Sequence, residues 1–439
     1  MRDFCRPGRS PLHAAEAAVA TSHPLSSQAA YEMLRAGGNA VDAALAAVAV
    51  QCVVDPLMTG LGGGCFALYR PQGTARPVAI NGSGRAPAAV EAARLRAEGE
   101  AIQPTSPHAV TVPGAVAAWA RLAADHGTRP LEEVLAPAIR CAEEGYLVQP
   151  RVAFDWAGDA ERVTLDPDAA ALFLPGGRAP AAGTRMLNPK LAATLRRVAA
   201  EGAAGFYQGP VAEDIVGKLR RLGGLHTLDD FAAAAPEYVE PVSTAYRGYE
   251  VFECPPNGQG LAALMMLNVL EGLEVAALSD VDRLHLFAEV CKQAYRHRDA
   301  LFGDPAQVPV PVEWLLSADW SAQARQAIDP ARAGEPTVWP EPAHRDTVYL
   351  CVVDREGNAI SLINSIFQGF GSGIVAPESG VLLHNRGLSF KLEEGHPNVI
   401  APGKRPMHTI IPGMLAREGA AVAPFGVMGG HYQAMGHVE

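Results

Sequence analysis

Residues 344–365 read "HRDTVYLCVVDREGNAISLINS". Two strand-like runs, "TVYLCVVD" and "AISLINS", are joined by the polar turn "REGN", which is the pattern of a β-hairpin. A charged trio, His344-Arg345-Asp346, runs straight into Thr347. Residues 321–345 are rich in Pro, Ala and charge and read as an exposed linker. Thr347 therefore stands where a solvated loop ends and a sheet begins. A Thr that opens a strand is most often only a strand residue. The functional reading is an N-terminal nucleophile. A Thr hydroxyl is weak at its free pKa and needs an adjacent base. Cutting the bond before Thr347 would place a new α-amine, with a pKa of about 8, within reach of the hydroxyl.

Upstream, Ser26 or Ser27 can cap a helix that runs to about Ala36, and Gly37-Gly38 can end it. Asn39 can cap the next, "AVDAALAAVAVQCVV", which is apolar on nearly all sides and so expected at the centre of the fold. "TGLGGGCFALYR" gives a Gly-rich turn and a strand, with "PVAING" as its partner. Between about 108 and 300 the pattern is mostly helical, clearest in "AVAAWARLAADHG", "LEEVLAPAIRCAEEG" and "RLHLFAEVCKQAYRHRDALFGDP". "PPNGQG" (255–260) reads as a loop between a strand and a helix. After the hairpin, "GFGSGI" leads into short β segments with Gly and Pro turns. A helix-rich first part and a strand-rich second part suggest α+β layers.

The 439 residues suffice for a large core, and 49% apolar against 19% charged residues indicates an ordered globular chain. A net charge of −11 argues against nucleic-acid and anionic-membrane partners, which want a basic face. Seven Cys without a CxxC pair make a poor disulfide framework and suit a reduced cytoplasmic compartment. The N-terminus lacks the apolar core of a signal peptide, and the apolar stretch 43–54, broken by Gln51, is too short to span a bilayer. Gly60, Gly62, Gly63 and Gly64 match neither phosphate-binding spacing and read as a tight, closely packed turn. His285 and Glu289 lie four apart on a helix, but no second His completes a zinc pattern, so no metal is expected. No GxSxG elbow is present.

Seven runs carry a resemblance: "AVATSHPLSSQAAYEMLRAGGNAVDAALAAVAV", "GLGGGCFALY", "HLFAEVCKQAYRHRDALFGDP", "DTVYLCVVDREGN", "GFGSGIVAPESGVLLHN", "GKRPMHTIIPGM" and "GVMGG". They cover almost the whole chain in order, and together the chain resembles the γ-glutamyltransferase family of N-terminal-nucleophile hydrolases. The resemblance implies an αββα sandwich and a precursor that cuts itself between Asp346 and Thr347. The products would be a helix-rich 1–346 and a 347–439 that begins at the nucleophile, and the two would stay associated. It further implies an acyl-enzyme on Thr347 formed from a small-molecule amide, with no cofactor. Gly429 and Gly430 align with the backbone oxyanion hole, and Ser365 with a hydroxyl kept beside the nucleophile. Further homo-oligomerisation is open.

The departures bear on specificity. In the loop "NGSGRAP", Ser83 takes the place of the family's carboxylate-binding Arg, and Arg85 sits two places later. A substrate-binding Asn falls at Phe367, and the Asp that pairs with the substrate amine falls at Ser389. A pair of Ser becomes His408 and Thr409. A Gln becomes Arg386, which is either a new carboxylate clamp or a member of a surface ion pair. The pattern points to the branch that hydrolyses other amides, such as oxamate amidohydrolase or the cephalosporin and glutaryl acylases. The rivals are a glutathione-type γ-glutamyl hydrolase or transferase, and an inactive fragment or non-catalytic paralogue. Family members continue well beyond "GGHYQAMGHVE", so a C-terminal part of the sandwich is expected to be missing, with sheet edges left open.

Overall fold

A computed structural model describes residues 11–335 and 347–439. Twelve strands follow in chain order: β1 (Ala18–Ala20), β2 (Gly64–Arg70), β3 (Val78–Gly82), β4 (Tyr146–Leu147), β5 (Arg185–Met186), β6 (Glu237–Val239), β7 (Val242–Tyr246), β8 (Tyr249–Glu253), β9 (Val348–Val353), β10 (Ala359–Ser365), β11 (Gly413–Arg417) and β12 (Ala420–Phe425). β4 and β5 form a small ribbon. The others build two antiparallel sheets, of order β1-β9-β10-β2-β3-β6 and β12-β11-β8-β7.

The hairpin read from the sequence is β9 and β10, paired antiparallel from Val353 opposite Ala359 to Val348 opposite Asn364. Asp354 closes its turn, accepting from the amides of Glu356 and Asn358 at 3.1 and 2.9 Å. Its second oxygen accepts from the amide of Ala40 at 2.9 Å, at the N-terminus of the Ala40–Val54 helix. Asn39 and Asp42 complete a capping box there, as the Asn39 cap predicted. All fifteen residues of this helix are buried, which explains why it shows no polar face.

The layers follow from the core clusters. Helices Ala40–Val54 and Ala115–His126 pack on one face of the six-stranded sheet, and Leu131–Glu144 packs behind Ala40–Val54. Phe66, Leu68, Ile363, Phe252 and Met414 fill the space between the sheets. Helices Gly260–Glu271 and Asp280–Leu301 cover the four-stranded sheet. The result is a mixed α/β fold in helix–sheet–sheet–helix layers. Among the described residues, no helix is long and apolar enough to cross a membrane.

Two expectations are corrected. The first long helix begins at Pro24, capped by the His23 ring, because Ser26 points inward and donates to the Ala47 carbonyl at 2.8 Å. Residues 318–326, partly inside the expected linker, form a helix whose Trp320 is buried; 327–335 are irregular and mostly exposed, as read, and 336–345, with Asp346, lie outside the described residues. The helix-rich first part and the strand-rich second part hold as read, and the two share both sheets. β2, β3 and β6 share a sheet with β9 and β10, and β7 and β8 share one with β11 and β12. Strands paired across long sequence separations leave no compositional trace at the boundary.

Candidate functional site

Register brings the first two candidates together. Val348 faces Asn364, so Thr347 falls opposite Ser365, where β9 begins and β10 ends. Their hydroxyl oxygens lie 3.1 Å apart and both residues are buried. Ser365 in turn faces Gly64 at the start of β2. Here the glycine run earns its packing reading. A Cβ on Gly62 would lie 2.2 Å from the Leu382 carbonyl oxygen, and one on Gly63 2.4 Å from that of Ser365. Backbone therefore approaches backbone directly beneath the two hydroxyls.

The loop after β10 leads to the next group. The Phe367 amide donates to Ser365 Oγ at 2.9 Å, and Phe367 adopts φ 81, unusual for a side chain of its size. Its ring stacks on the Arg386 guanidinium, 4.0 Å from Cζ to the centroid. Arg386 is 1% exposed. Its Nη1 donates to Thr409 Oγ1 at 2.8 Å, and its Nη2 has no hydrogen-bond partner. Among the described residues no carboxylate pairs with it, so the surface ion-pair reading fails. Burial pushes its pKa well down. Burial favours the neutral form of the neighbouring imidazoles. Burial drives the pKa of His408 well down, and Arg386 and then His384 add to this. His384 is lowered to about 3, first by burial, with Arg386 contributing.

Gly429 and Gly430, at φ 137 and 58, join the same constellation through a residue the sequence did not single out. Gln259 Nε2 donates to the carbonyls of Thr409 and Gly430, at 2.7 and 2.9 Å. One contiguous network thus links Thr347, Ser365, Arg386, Thr409 and Gly430, with His408 alongside. Arg85 is not in it. Its guanidinium is held by Glu237 at 2.7 Å, Asp304 at 3.3 Å and the Gly403 carbonyl at 2.9 Å. Its charge is answered within the protein, which argues against Arg85 as a carboxylate clamp. Ser83 is likewise held within the scaffold, with its hydroxyl accepting from Asn257 at 3.0 Å.

Beside Phe367 opens a cleft of about 500 Å³, lined also by Ser389, Phe302, Leu388, Lys391 and Glu100. The Ser389 hydroxyl is buried without a hydrogen-bond partner. His285 and Glu289 do not converge: the first meets the Asp329 carbonyl and the second Lys292.

The family model described as gamma-glutamyltranspeptidase matches residues 26–439. The chain belongs to the γ-glutamyltranspeptidase family. It is 36% identical to the glutathione hydrolase-like YwrD proenzyme of Bacillus subtilis, over 94% of this chain and 79% of that protein. With the oxamate amidohydrolase proenzyme of Klebsiella pneumoniae the figure is 35%, over 94% and 78%. The crystal structure of a cephalosporin acylase from Bacillus halodurans superposes with a TM-score of 0.91 at 41% identity, covering 99% of this chain and 82% of that one. This γ-glutamyltranspeptidase relative is accordingly an enzyme of the N-terminal-nucleophile amidohydrolase type.

What the sequence missed is instructive. "PPNGQG" was legible as a loop, but nothing in it announced that Gln259 would reach two carbonyls more than 140 residues away.

Proposed function

We propose that the protein is an autoprocessing amidohydrolase that uses Thr347 as nucleophile on amides of small, carboxylate-bearing acyl groups. Cleavage between Asp346 and Thr347 gives 1–346 and 347–439, which stay together because strands of both pieces pair with each other in both sheets. The relatives named as proenzymes support this step. The freed α-amine takes the proton of the Thr347 hydroxyl as Oγ1 attacks the amide carbonyl carbon. The tetrahedral oxyanion is received by N–H groups of Gly429 and Gly430, and collapse expels the amine with the proton. Water, or a second amine, then releases the acyl group from Thr347. Ser365 holds the hydroxyl in line.

The observation that carries the substrate class is the buried Arg386, a cation with a free N–H edge and no anion beside it among the described residues. A substrate carboxylate would complete it bidentately. Ser389 and Phe367 supply no negative charge for an α-amine, so an acyl group without one is favoured. Oxamate is the smallest member of the class. The adjoining cleft of about 500 Å³ leaves room for larger acyl or leaving groups. Glu100 on the cleft wall supports the second reading, a γ-glutamyl substrate such as glutathione, since it could meet an α-ammonium.

Mass spectrometry of the denatured protein tests the first step: wild type should give two chains, the second starting Thr-Val-Tyr-Leu, and Thr347→Ala one inactive chain. An uncut wild type that still hydrolyses amides would overturn the mechanism. Comparing kcat/KM for a glutaryl and a γ-glutamyl anilide on one preparation then decides the acyl class. Preference for the γ-glutamyl compound would establish the second reading.

A further inference from the structure

Two adjacent glycines in left-handed backbone have unusual freedom, and an oxyanion hole made from them is useful only if something outside holds them still. The Gly429 carbonyl is held by the Tyr432 amide at 3.1 Å. Because a trans peptide points its N–H opposite its C=O, this contact turns the Gly430 N–H the other way. The next peptide is held by Gln259 Nε2 on the Gly430 carbonyl, at 2.9 Å.

Gln259 is itself fixed on three sides. It is fully buried. Its Oε1 accepts from Arg298 Nη1 at 2.7 Å, and its backbone amide donates to the His408 carbonyl at 2.9 Å. Arg298 can only donate, so the carboxamide cannot turn over, and Nε2 must face the carbonyls of Thr409 and Gly430. Arg298 is braced by Asp299 at 2.7 Å and by the Tyr295 ring at 3.9 Å.

We propose that Gln259 is a positioning residue that ties the Gly430–His431 peptide, which directly follows the Gly429 and Gly430 N–H donors, to the Thr409 segment, and so holds those donors in register with the carboxylate held by Arg386. It touches neither substrate nor nucleophile. Both ends of the acyl group are placed by one carboxamide: the reacting carbonyl through Gly430, and the distal carboxylate through Thr409, which accepts from Arg386 at 2.8 Å. The inference rests on the proposed role of Thr347 and the glycines.

The test is steady-state kinetics of Gln259→Met and Gln259→Glu in the full chain, with a glutaryl anilide as substrate. Direct removal of an oxyanion donor costs about 10²- to 10³-fold in kcat, and loss of its support should cost less. Gln259→Met should lower kcat about 10- to 100-fold and raise KM by less, since the Arg386–Thr409 side-chain contact does not itself pass through Gln259. Gln259→Glu keeps the shape, but its ionised carboxylate faces two carbonyl oxygens and only the protonated form can donate. Its kcat, relative to wild type, should therefore rise as pH falls, which a purely structural role would not produce. If Gln259→Met does not yield folded protein, the Gln259→Glu profile decides alone. A wild-type kcat in Gln259→Met, or a Gln259→Glu profile parallel to wild type, overturns the inference. Turnover by Thr347→Ala would instead sink the reading beneath it.

Discussion

Arg386 and Arg405 are buried to the same degree, 1% and 2% exposed, yet their surroundings differ completely. Arg405 Nη1 pairs with Glu237 at 2.8 Å, and its other nitrogens donate to the carbonyls of Ser83 and Ala235 at 3.0 and 3.4 Å. Arg85 joins the same cluster through Glu237 and Asp304. Arg386 has one threonine hydroxyl, one aromatic face and neutral imidazoles. Burying a guanidinium without an anion is expensive. A fold that answers two arginines and leaves a third bare has kept that cost where an anionic ligand can relieve it. The contrast also separates two arginines that sequence reasoning had put forward together, Arg85 and Arg386.

The sharpest way to break the contrast is Arg386→Met. For a carboxylate-bearing amide, kcat/KM should fall by about 10²-fold or more, as expected for loss of a charge-assisted bidentate contact. Stability, read by urea unfolding, should stay level or rise, because an unpaired buried charge is gone. A large stability loss with unchanged kinetics would return Arg386 to the scaffold. Next comes Ser365→Ala, which removes the 3.1 Å hydroxyl contact to Thr347. It should lower kcat about 10- to 100-fold, at or below the low end of general acid–base effects. Unchanged kinetics would assign Ser365 to strand-end packing.

Arg405→Met should behave oppositely to Arg386→Met. Glu237 is about half exposed, so the ion pair itself is discounted. With two carbonyls also losing a donor, the loss should be about 2 kcal/mol in urea, with KM altered little. The last comparison concerns pH. Burial lowers His384 to about 3 and His226 to about 4, against an unfolded value of about 6.5. Between those values the unfolded chain binds the extra protons, so stability contributed by the neutral rings is full above about pH 6.5 and is lost as pH falls towards 4. Asp55, raised to about 7 by burial, acts in the opposite direction over part of that range. His384→Gln should remove about one proton from the acid limb, close to 1.4 kcal/mol per pH unit. An unchanged slope would mean that the ring beside Arg386 is not held neutral.

Local chemistry in the sequence determined the local features. Alternation gave the β9–β10 hairpin and hence the pairing of Thr347 with Ser365, because antiparallel register is set by the turn. An Asn before an all-apolar run gave the capped central helix. The resemblance carried the family and the residues to examine. Only tertiary structure decided which candidates share a site. Arg85 and Arg386 are the same residue type, and nothing in their flanking sequence says that acids from β6 and from the loop after the Asp280–Leu301 helix will reach one and not the other. The interleaving of strands from both sides of Thr347, and the reach of Gln259 to Thr409 and Gly430, are likewise long-range. The physical reason is common to all three. Charge compensation, sheet order and carbonyl capture depend on which distant segments the core brings together, and no local pattern encodes that.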